Sequence, residues 1–399
     1  FRAGAKGFIV SCLSKENRET PPGHVIVVND TVSAMGKLAG YIRSRKDLPV
    51  VCIAGTNGKT TVKDILSHIL SVKFRVLASK RSYNNIIGLS LTLFELEDAY
   101  DMVILEVGTN HPGEIEELGK IARPNTAIIT NIGRAHLESF GCKKDIFNEK
   151  ASLLKYLSDG GKVFLNGDDP FLKDIDLKAM SKIFFGISKN SDYWINSISQ
   201  GLSGYDFSVN NESYFVPLDG VHNVYNAAVS VTVAKELGVS YKDIKERLNS
   251  ISLSGGRLEK SRVNGRMFIN DAYNANPDSF ECALRVLKDN YNNGKTVVVA
   301  GDMLELGDNS SLFHRLIGRD IAGKEINYLV TLGNKAGEIA EGAIEAGMSE
   351  GNVVKAKDHQ DAARILKEIT DLGSTILLKG SRSTKMEEVL RCFISSYTS

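Results

Sequence analysis

Short apolar runs alternate with helical patterns along most of the chain, which is typical of parallel sheets with crossover helices. Four of the runs are apolar throughout, as expected for strands that helices cover on both faces. They lie at Val50–Ala54, Met102–Val107, Ala127–Asn131 and Lys162–Leu165. We therefore predict an α/β fold whose central part contains a mostly parallel sheet.

The pattern changes between Tyr193 and Pro217, where polar and apolar residues alternate around two glycines and Asn210-Asn211. Alternation with such turn residues predicts antiparallel hairpins. A helical pattern over Val224–Leu237 follows. After Gly255-Gly256 a second series of strand patterns, separated by helical ones, predicts a C-terminal doubly wound, Rossmann-like unit. Its strands are expected at Arg266–Asn270, Thr296–Ala300, Tyr328–Thr331 and Thr375–Lys379.

The first 47 residues contain only two short strand patterns, near Phe8–Ser11 and Val25–Val28, and a helical pattern over Val32–Arg43. That is too little to close a domain. We expect a partial α/β N-terminal domain, with further strands before residue 1. The predicted domains are 1–47, 48–254 and 255–399.

Composition argues against several classes of function. The 49 basic residues nearly equal the 48 acidic ones, so bulk charge gives no case for nucleic acid as a partner. No apolar run approaches the roughly 20 residues of a membrane-spanning helix, and we expect no membrane insertion and a cytoplasmic location. The five cysteines lie far apart without a Cys-x-x-Cys spacing, which argues against a disulfide framework or a zinc site.

A glycine loop follows the first central strand and leads into a helix. It reads Gly55-Thr56-Asn57-Gly58-Lys59-Thr60-Thr61. Such a loop points backbone N–H groups at phosphate, while Lys59 adds a charge and Thr60 a hydroxyl for Mg²⁺. Ile53 stands where the general P-loop has its first glycine, so this is the compact form. The alternative, a tight turn without a ligand, would not require the lysine and two threonines. We therefore predict a central P-loop-type, mostly parallel sheet domain.

Polar residues also follow the next two central strands. Glu106 ends one of them and His136 lies shortly after the other. A strand-end glutamate alone is often a cap or an ion-pair partner, and a lone histidine is usually a surface or packed residue. Because three successive strand ends meet at one edge of a parallel sheet, their convergence instead favours an active site, with Glu106 as a Mg²⁺ ligand.

In their order along the chain, these motifs resemble the Mur ligase family, together with Glu149-Lys150-Ala151 and His222-Asn223-x-x-Asn226-Ala227-Ala228. The resemblance extends from Pro49 to Phe393. It implies an ADP-forming, ATP-dependent ligase that joins a carboxylate to an amine through an acyl phosphate in peptidoglycan precursor synthesis. It also implies that the three domains are the last part of a UDP-sugar-binding domain, an ATP-binding domain and a ligase domain.

The resemblance assigns two Mg²⁺ sites. Lys59 and Thr60 would contact the ATP phosphates, and Thr60 and Glu106 the first Mg²⁺. His136 would bind the second Mg²⁺ together with Lys150, modified by CO₂ to a carbamate. An ammonium would be repelled by the cation, whereas a carbamate is an oxygen ligand of the kind Mg²⁺ prefers. The alternative is a surface lysine paired with Glu149 or Glu138.

Four more residues are implied for the nucleotide. Asn223 and Asn226 would lie near the adenine, Arg257 would reach the γ-phosphate, and Asp271 would contact the nucleotide from the C-terminal domain. Each has a structural alternative: Asn226 could bond its own helix backbone, and Arg257 could be a solvated loop charge.

Three later motifs, which begin at Asn270, Gly301 and Lys379, are the part of the resemblance that concerns the substrates. They imply D-alanyl-D-alanine as the incoming amine and UDP-N-acetylmuramoyl-tripeptide as the carboxylate substrate. A glycine turn with cationic and hydroxyl groups at a strand end suits a small anion such as a dipeptide carboxylate, although it could serve only helix capping. The implied substrate residues are Ser82, Asn84, Asn85, Asn274, Asn276, Lys379, Ser381 and Arg382.

Three classes of function are open to a chain with these motifs: an amide ligase, a P-loop phosphotransferase or switch ATPase, and an inactive binding protein that keeps the fold. The nucleotide-facing Asp271 and the Glu149-Lys150 motif favour the ligase. Within ligases, the alternative is a folate or amino-acid polyglutamate-type enzyme. The sequence leaves open whether the third peptide residue is lysine or diaminopimelate and how the domains close; we expect a monomer. Ser82, Asn84 and Asn85 could also form an ordinary turn and helix start.

Overall fold

The computed structural model describes residues 4–12, 24–177, 180–201, 203–253, 255–291 and 294–397. Near the start, strands β1 (Gly7–Val10) and β2 (His24–Val27) form a parallel two-stranded sheet. Helix α1 (Thr31–Ser44) follows, and Asp30 caps its N-terminus through the backbone N–H of Ser33. The rest of the predicted N-terminal domain, residues 1–3 and 13–23, lies outside the described residues.

A nine-stranded sheet forms the central part. Its order across the sheet is β11-β10-β9-β8-β7-β6-β3-β5-β4, with antiparallel pairing only at β9–β10 and β10–β11. This confirms the mostly parallel central sheet and the antiparallel hairpins predicted after Tyr193. The strands are β3 (Val50–Ala54), β4 (Val76–Ala78), β5 (Met102–Glu106), β6 (Thr126–Ile129), β7 (Lys162–Asn166), β8 (Ser181–Gly186), β9 (Tyr193–Gly201), β10 (Gly204–Val209) and β11 (Glu212–Val216).

Helices cover both faces of this sheet, so the central strands are buried. All five residues of β3 and of β5 are buried, as their unbroken apolar patterns predict. A short 3₁₀ helix, Ser152–Tyr156, extends one of the helices. The helices are α2 (Lys59–Leu70), α3 (Ile86–Phe94), α4 (Glu114–Ala122), α5 (Leu137–Phe140), α6 (Lys143–Ala151), α7 (Val221–Glu236) and α8 (Tyr241–Asn249).

Strand β3 marks the point where the strand order reverses. It pairs with β5 on one side and β6 on the other, and the chain leaves it first towards β4 and β5 and later towards β6 and β7. In register, Ile53 lies beside Glu106 and Ala54 beside Ile129. Because ligands bind at such reversal points, outside the carboxyl ends of the strands, this edge is the expected binding crevice.

The C-terminal part contains a six-stranded sheet with the order β12-β13-β17-β14-β15-β16, parallel except at its β12 edge. Asp271 and Lys379 are neighbours at the carboxyl ends of β13 and β17. The predicted doubly wound unit is confirmed. The strands are β12 (Glu259–Val263), β13 (Arg266–Asp271), β14 (Thr296–Gly301), β15 (Tyr328–Leu332), β16 (Val353–Lys355) and β17 (Thr375–Lys379); the helices are α9 (Pro277–Asn290), α10 (Ser310–Gly323), α11 (Ala336–Glu345), α12 (His359–Ile369) and α13 (Glu387–Ser395).

The two large sheets share one buried apolar cluster. It includes Leu137 and Phe140 of α5 on the central side and Met303 and Leu306 on the C-terminal side. Contact at this place is close, since the backbone N–H of Glu138 donates to the carbonyl of Glu305 at 3.1 Å. The carboxyl ends of both parallel sheets therefore meet at one crevice.

Within the described part of the chain, no helix is both long enough and apolar enough to span a bilayer.

Candidate active site

The glycine loop is held in a conformation that only glycine allows at two positions. Gly55 and Gly58 have φ of +141° and +85°. A Cβ on Gly58 would lie 2.4 Å from Oδ1 of Asn226, and one on Gly55 would lie 1.9 Å from Oγ1 of Thr130. Helix α2 begins directly after Gly58, so its free N–H groups and positive end face the crevice. The loop thus has the geometry of a phosphate site.

Lys59 lies in the crevice and folds back on the loop. Its Nζ donates to the carbonyls of Gly55 at 2.9 Å and Thr56 at 3.0 Å. Burial lowers the pKa of Lys59, while Glu106 acts in the opposite direction. A cation that is poorly solvated and bonded only to neutral carbonyls is well suited to exchange these bonds for phosphate oxygens.

Hydroxyl and amide side chains surround Glu106 at the end of β5. Oγ1 of Thr60 donates to Glu106 Oε2 at 2.6 Å, and Nδ2 of Asn84 donates to Oε1 at 2.9 Å. Oγ of Ser82 lies 3.2 Å from the Thr60 hydroxyl. Carboxylate and hydroxyl oxygens suit Mg²⁺ that completes its coordination with phosphates and water. Among the described residues, no group of three or more His, Cys, Asp or Glu side chains forms a self-sufficient metal cage.

The segment after β6 contacts both the glycine loop and the C-terminal part. Asn131 accepts from the backbone N–H groups of Thr56, through its carbonyl at 2.9 Å, and Asn57, through Oδ1 at 3.0 Å. His136 has a left-handed backbone, with φ of +55°. Its Nδ1 lies 2.5 Å from Oε2 of Glu305, and this contact lowers the pKa of the Glu305 carboxyl.

Lys150 is buried on α6, with 3% of its surface exposed. Burial, and then repulsion from Lys59, lowers its pKa to about 7. The neighbouring Glu149 accepts instead from the backbone N–H groups of Gly113 and Ile115, each at 2.8 Å. Among the described residues no ion pair to the Lys150 ammonium is present, so the alternative of a surface lysine paired with Glu149 or Glu138 is wrong.

Two predicted nucleotide residues lie in the first turns of α7. Nδ2 of Asn226 donates to Oδ1 of Asn223 at 3.0 Å, and Nδ2 of Asn223 donates to the carbonyl of Asp219 at 2.8 Å. The Asn226 amide therefore bonds a neighbouring side chain rather than its own helix backbone. The adjacent His222 also lines the crevice, and burial lowers its pKa to about 4.

Arg257 crosses from the C-terminal part to two hydroxyl groups near Glu106. Its NH2 donates to Oγ1 of Thr60 and Oγ of Ser82, each at 3.0 Å. The guanidinium carbon lies 3.7 Å from the centre of the Tyr273 ring, which fixes its plane. Arg257 is therefore not the solvated loop charge of the alternative interpretation.

Lys379 and Asp271 form a buried ion pair. The Nζ–Oδ2 distance is 2.5 Å, and Lys379 is 1% exposed. Lys379 also donates to the carbonyl of Asn274 at 3.3 Å, and Oδ1 of Asp271 accepts from the backbone N–H of Leu258 at 3.2 Å. The charge of Lys379 is thus balanced within the protein.

The other residues of the Lys379 motif differ in exposure. Ser381 is buried, and its Oγ accepts from the backbone N–H of Leu304 at 2.9 Å. The Arg382 side chain is 64% exposed and contacts Glu387 of α13 at 2.8 Å. Of the two cations in the segment Lys379–Arg382, only Arg382 is accessible to a ligand from solvent.

Two predicted asparagines also cap helices. Asn85 accepts from the backbone N–H of Gly88 at 2.9 Å and caps α3, and Asn276 caps α9 through Ser279. The side-chain amides of Asn276 and Asn57 also bond each other, with Nδ2 of Asn276 donating at 2.9 Å. This amide pair links the glycine loop to the C-terminal part.

These groups line one cavity of about 990 Å³ between the two sheets. Of the predicted site residues, only Gly55, Ser82 and Lys150 do not line it. It brings together Thr56, Asn57, Gly58, Lys59, Thr60, Thr61, Asn84, Asn85, Glu106, His136, Asn223, Asn226, Arg257, Asp271, Asn274, Asn276, Lys379, Ser381 and Arg382.

Sequence reasoning missed part of the cavity wall. Asn166 and Asp168 line it at the end of β7, and Oδ2 of Asp168 accepts from the Tyr225 hydroxyl at 2.8 Å. The strand-end rule that found Glu106 applies equally to Asn166 and could have found it. Glu305 was missed because its partner His136 is distant in the chain.

Comparison with known proteins agrees with this geometry. Residues 53–234 match the Mur ligase middle domain, and residues 256–382 match the glutamate ligase domain of Mur ligases. A protein of Bacillus subtilis (strain 168), named UDP-N-acetylmuramoyl-tripeptide–D-alanyl-D-alanine ligase, is 33% identical over 401 residues, covering 99% of this chain and 86% of that protein.

Two solved structures are similar over nearly the whole chain. MurF from Acinetobacter baumannii has a TM-score of 0.88 and 31% identity, and the match covers 97% of this chain and 84% of that one. MurF ligase from Thermotoga maritima, in complex with ADP, has a TM-score of 0.87 and 26% identity, covering 100% and 90%. With a relative 33% identical over most of its length and matches to both domains, the chain belongs to the Mur ligase family.

Proposed function

We propose that this protein is an ADP-forming ligase that joins D-alanyl-D-alanine to the terminal carboxylate of UDP-N-acetylmuramoyl-tripeptide. The observation that carries the proposal is the shared cavity, in which the phosphate loop faces Arg257 and the Lys379 motif of the C-terminal part. A switch ATPase would not require this second wall. The relatives named for the same dipeptide addition favour it over a folylpolyglutamate-type ligase.

The chemistry has two steps. A carboxylate oxygen of the tripeptide attacks the γ-phosphorus of ATP, the bond to the β-phosphate oxygen breaks, and ADP leaves an acyl phosphate. The amine of D-alanyl-D-alanine then attacks the acyl carbon, an amide forms, and inorganic phosphate leaves with loss of a proton from nitrogen. Lys59 and Arg257 lie where they can neutralise charge on the transferring phosphoryl group.

We infer that Thr60 and Glu106 hold the first Mg²⁺ and that His136 and a carbamylated Lys150 hold the second. Bound there, Mg²⁺ would neutralise charge on the phosphates. The oxygen donors around Glu106 support the first assignment. The burial of Lys150 and its lowered pKa support the second, because CO₂ adds only to a neutral amine.

Residues around the cavity divide into a nucleotide side and an acceptor side. Asn223 and Asn226 are proposed for the adenine end, since Asn226 lies next to Gly58, and Asp271 is proposed to contact the nucleotide from the C-terminal part. Ser82, Asn84 and Asn85 are proposed beside the sugar substrate. Asn274, Asn276, Lys379, Ser381 and Arg382 are proposed for the dipeptide.

The domain boundaries near residues 48 and 255 and a monomeric state are part of the same proposal. Strand β3 begins at Val50 and β12 at Glu259, so both boundaries fall in connecting segments. The fragment of the N-terminal sheet that precedes β3 would belong to the UDP-sugar-binding domain.

Phosphate release tests the function. With ATP, Mg²⁺ and UDP-N-acetylmuramoyl-tripeptide, addition of D-alanyl-D-alanine is expected to increase steady-state phosphate release, because aminolysis of the acyl phosphate frees the site. Release must also depend on the tripeptide substrate. Phosphate release that neither substrate changes would instead identify a switch ATPase.

Replacement of Arg382 by Ala is expected to weaken acceptor binding selectively. Since Lys379 is neutralised by Asp271, Arg382 is the accessible cation for the dipeptide carboxylate. Loss of one charge-assisted hydrogen bond corresponds to a rise of about tenfold or more in KM for D-alanyl-D-alanine. The KM for ATP should change by less than about twofold on the same scale.

Arg391→Ala is the matched control. Arg391 lies on α13 and forms an exposed pair with Glu388, away from the cavity. The KM values of Arg391→Ala for D-alanyl-D-alanine and for ATP should equal those of the parent. Equal rises in both KM values for Arg382→Ala would identify a structural loop and remove Arg382 from the acceptor site.

A further inference from the structure

The loop after β6 is held by the C-terminal part on two sides. On one side, NH2 of Arg134 lies 2.6 Å from Oδ1 of Asp278 and 2.7 Å from Oε1 of Glu281, both on α9. The backbone N–H of Arg134 also donates to Asp278. On the other side, Nδ1 of His136 faces Oε2 of Glu305 at 2.5 Å. Two ion pairs of Arg134 and one histidine–carboxylate contact of His136 therefore join this loop to distant parts of the chain.

At both contacts, the main chain of one part lies close to atoms of the other part. A Cβ on Gly133 would lie 2.5 Å from Asp278 Oδ2. Gly307 has φ of +58°, and a Cβ there would lie 3.1 Å from the Cα of Glu138. Larger residues would separate the two parts of the chain, so these glycines permit the docking of the 133–138 segment on the C-terminal part.

The contact with Glu305 determines which nitrogen of His136 is available. A carboxylate beside Nδ1 favours the tautomer with the ring proton on that nitrogen and the lone pair on Nε2. Metal-ligating histidines are commonly oriented in this way, by donating the other ring N–H to a carboxylate. Nδ1 is buried and makes no hydrogen bond of regular geometry among the described residues, and the Glu305 carboxylate, 2.5 Å away, is placed to accept its proton.

We propose that Glu305 is a positioning residue for His136 and that the Arg134 pairs hold the chain in the arrangement that brings Glu305 to it. The inference rests on the assignment of His136 to the second metal in the proposed function. As a consequence, the second metal position is complete only when the C-terminal part is docked, and metal binding and docking stabilise each other.

Binding of Mn²⁺ in place of Mg²⁺ tests this without turnover. The metal is titrated by electron paramagnetic resonance in the presence of a non-hydrolysable ATP analogue and the tripeptide substrate, and the parent is expected to bind two ions. Glu305→Ala and Arg134→Ala should each weaken one of the two sites by about 10–100-fold and leave the other unchanged. Glu305→Gln, which keeps an acceptor oxygen, should recover much of the affinity.

Arg315→Ala is the matched control, because Arg315 also contacts two acidic residues, Glu341 and Glu345, but within the C-terminal part and at the surface. It should bind both ions as the parent does. Two unchanged sites in Glu305→Ala would overturn the inference, and so would equal loss of both sites, which would indicate a general structural role. A parent that binds a single Mn²⁺ would instead remove the metal assignment of His136 on which the inference rests.

Discussion

Replacement of Lys59 by Ala is expected to lower kcat by about a thousandfold or more while the protein stays folded. Nζ of Lys59 donates to the carbonyls of Gly55 and Thr56, so the ammonium lies at the phosphate loop. In the transition state it would balance charge on the transferring phosphoryl group, and removal of such a preorganised charge typically costs about 10²–10⁵ in rate. The phosphate-release assay at saturating ATP measures the loss.

Lys59→Ala should lower activity without lowering the stability of the fold. Burial lowers the pKa of Lys59, so its charged form is disfavoured in the unliganded protein. The thermal midpoint of Lys59→Ala should therefore be no lower than that of the parent. Lys80→Ala is the control for removal of a surface charge, since Lys80 is largely exposed and pairs with Glu95. Activity of Lys59→Ala within a few-fold of the parent would remove Lys59 from the mechanism.

The sequence could predict the central chemistry because parallel sheets place all carboxyl ends at one edge. Lys59, Glu106 and the His136 segment each follow a strand, and no information on distant contacts was needed to bring them together. The unbroken apolar runs located β3 and β5 to within a residue. The strand order, with β3 between β5 and β6, then explains why these three ends converge.

Four strands escaped prediction for local reasons. Strands β4 and β16 have three residues each, too few to establish a period. Strand β8 begins with Ser181 and Lys182, which are exposed at its start, and β12 is a polar edge strand. Edge strands carry charged residues because their unpaired side faces solvent, so their patterns resemble loops.

Long-range pairs could not be predicted from local pattern at all. Asp271 and Lys379 are 108 residues apart, and Arg134 and Asp278 are 144 apart. A motif with Lys379 and Arg382 suggested two cations for an anionic ligand, yet only the pairing with Asp271 reveals that one of them is neutralised. Whether a cation in a motif is exposed depends on tertiary contacts: Lys379 is buried against Asp271, whereas Arg382 pairs with Glu387 and stays exposed.

Lys150 is the residue for which sequence and structure together make the sharpest chemical prediction. Its neutral amine would attack CO₂ to form a carbamate with loss of a proton. An ordinary lysine, with a pKa near ~10.4, is almost fully protonated at neutral pH. Burial, and then repulsion from Lys59, lowers the pKa of Lys150 to about 7. The reactive form is therefore abundant above pH 7 and becomes scarce as the pH falls below it.

Lys150→Ala is accordingly expected to abolish acyl phosphate formation, with partial rescue by acetate or another short carboxylate in the medium. Parent enzyme stripped of CO₂ should lose activity. Bicarbonate should restore it more fully above about pH 7, where the Lys150 amine is neutral, than below it, and mass spectrometry under native conditions follows the added carboxyl group. Lys144→Ala is the control, since Lys144 lies on the same helix, exposed beside Phe147. Full activity of Lys150→Ala, or activity of the parent that is independent of CO₂, would rule out the carbamate. Rescue of Lys150→Ala by a small alkylammonium ion, and not by carboxylates, would instead identify Lys150 as a direct cationic contact, because an added carboxylate replaces a carbamate and not an ammonium.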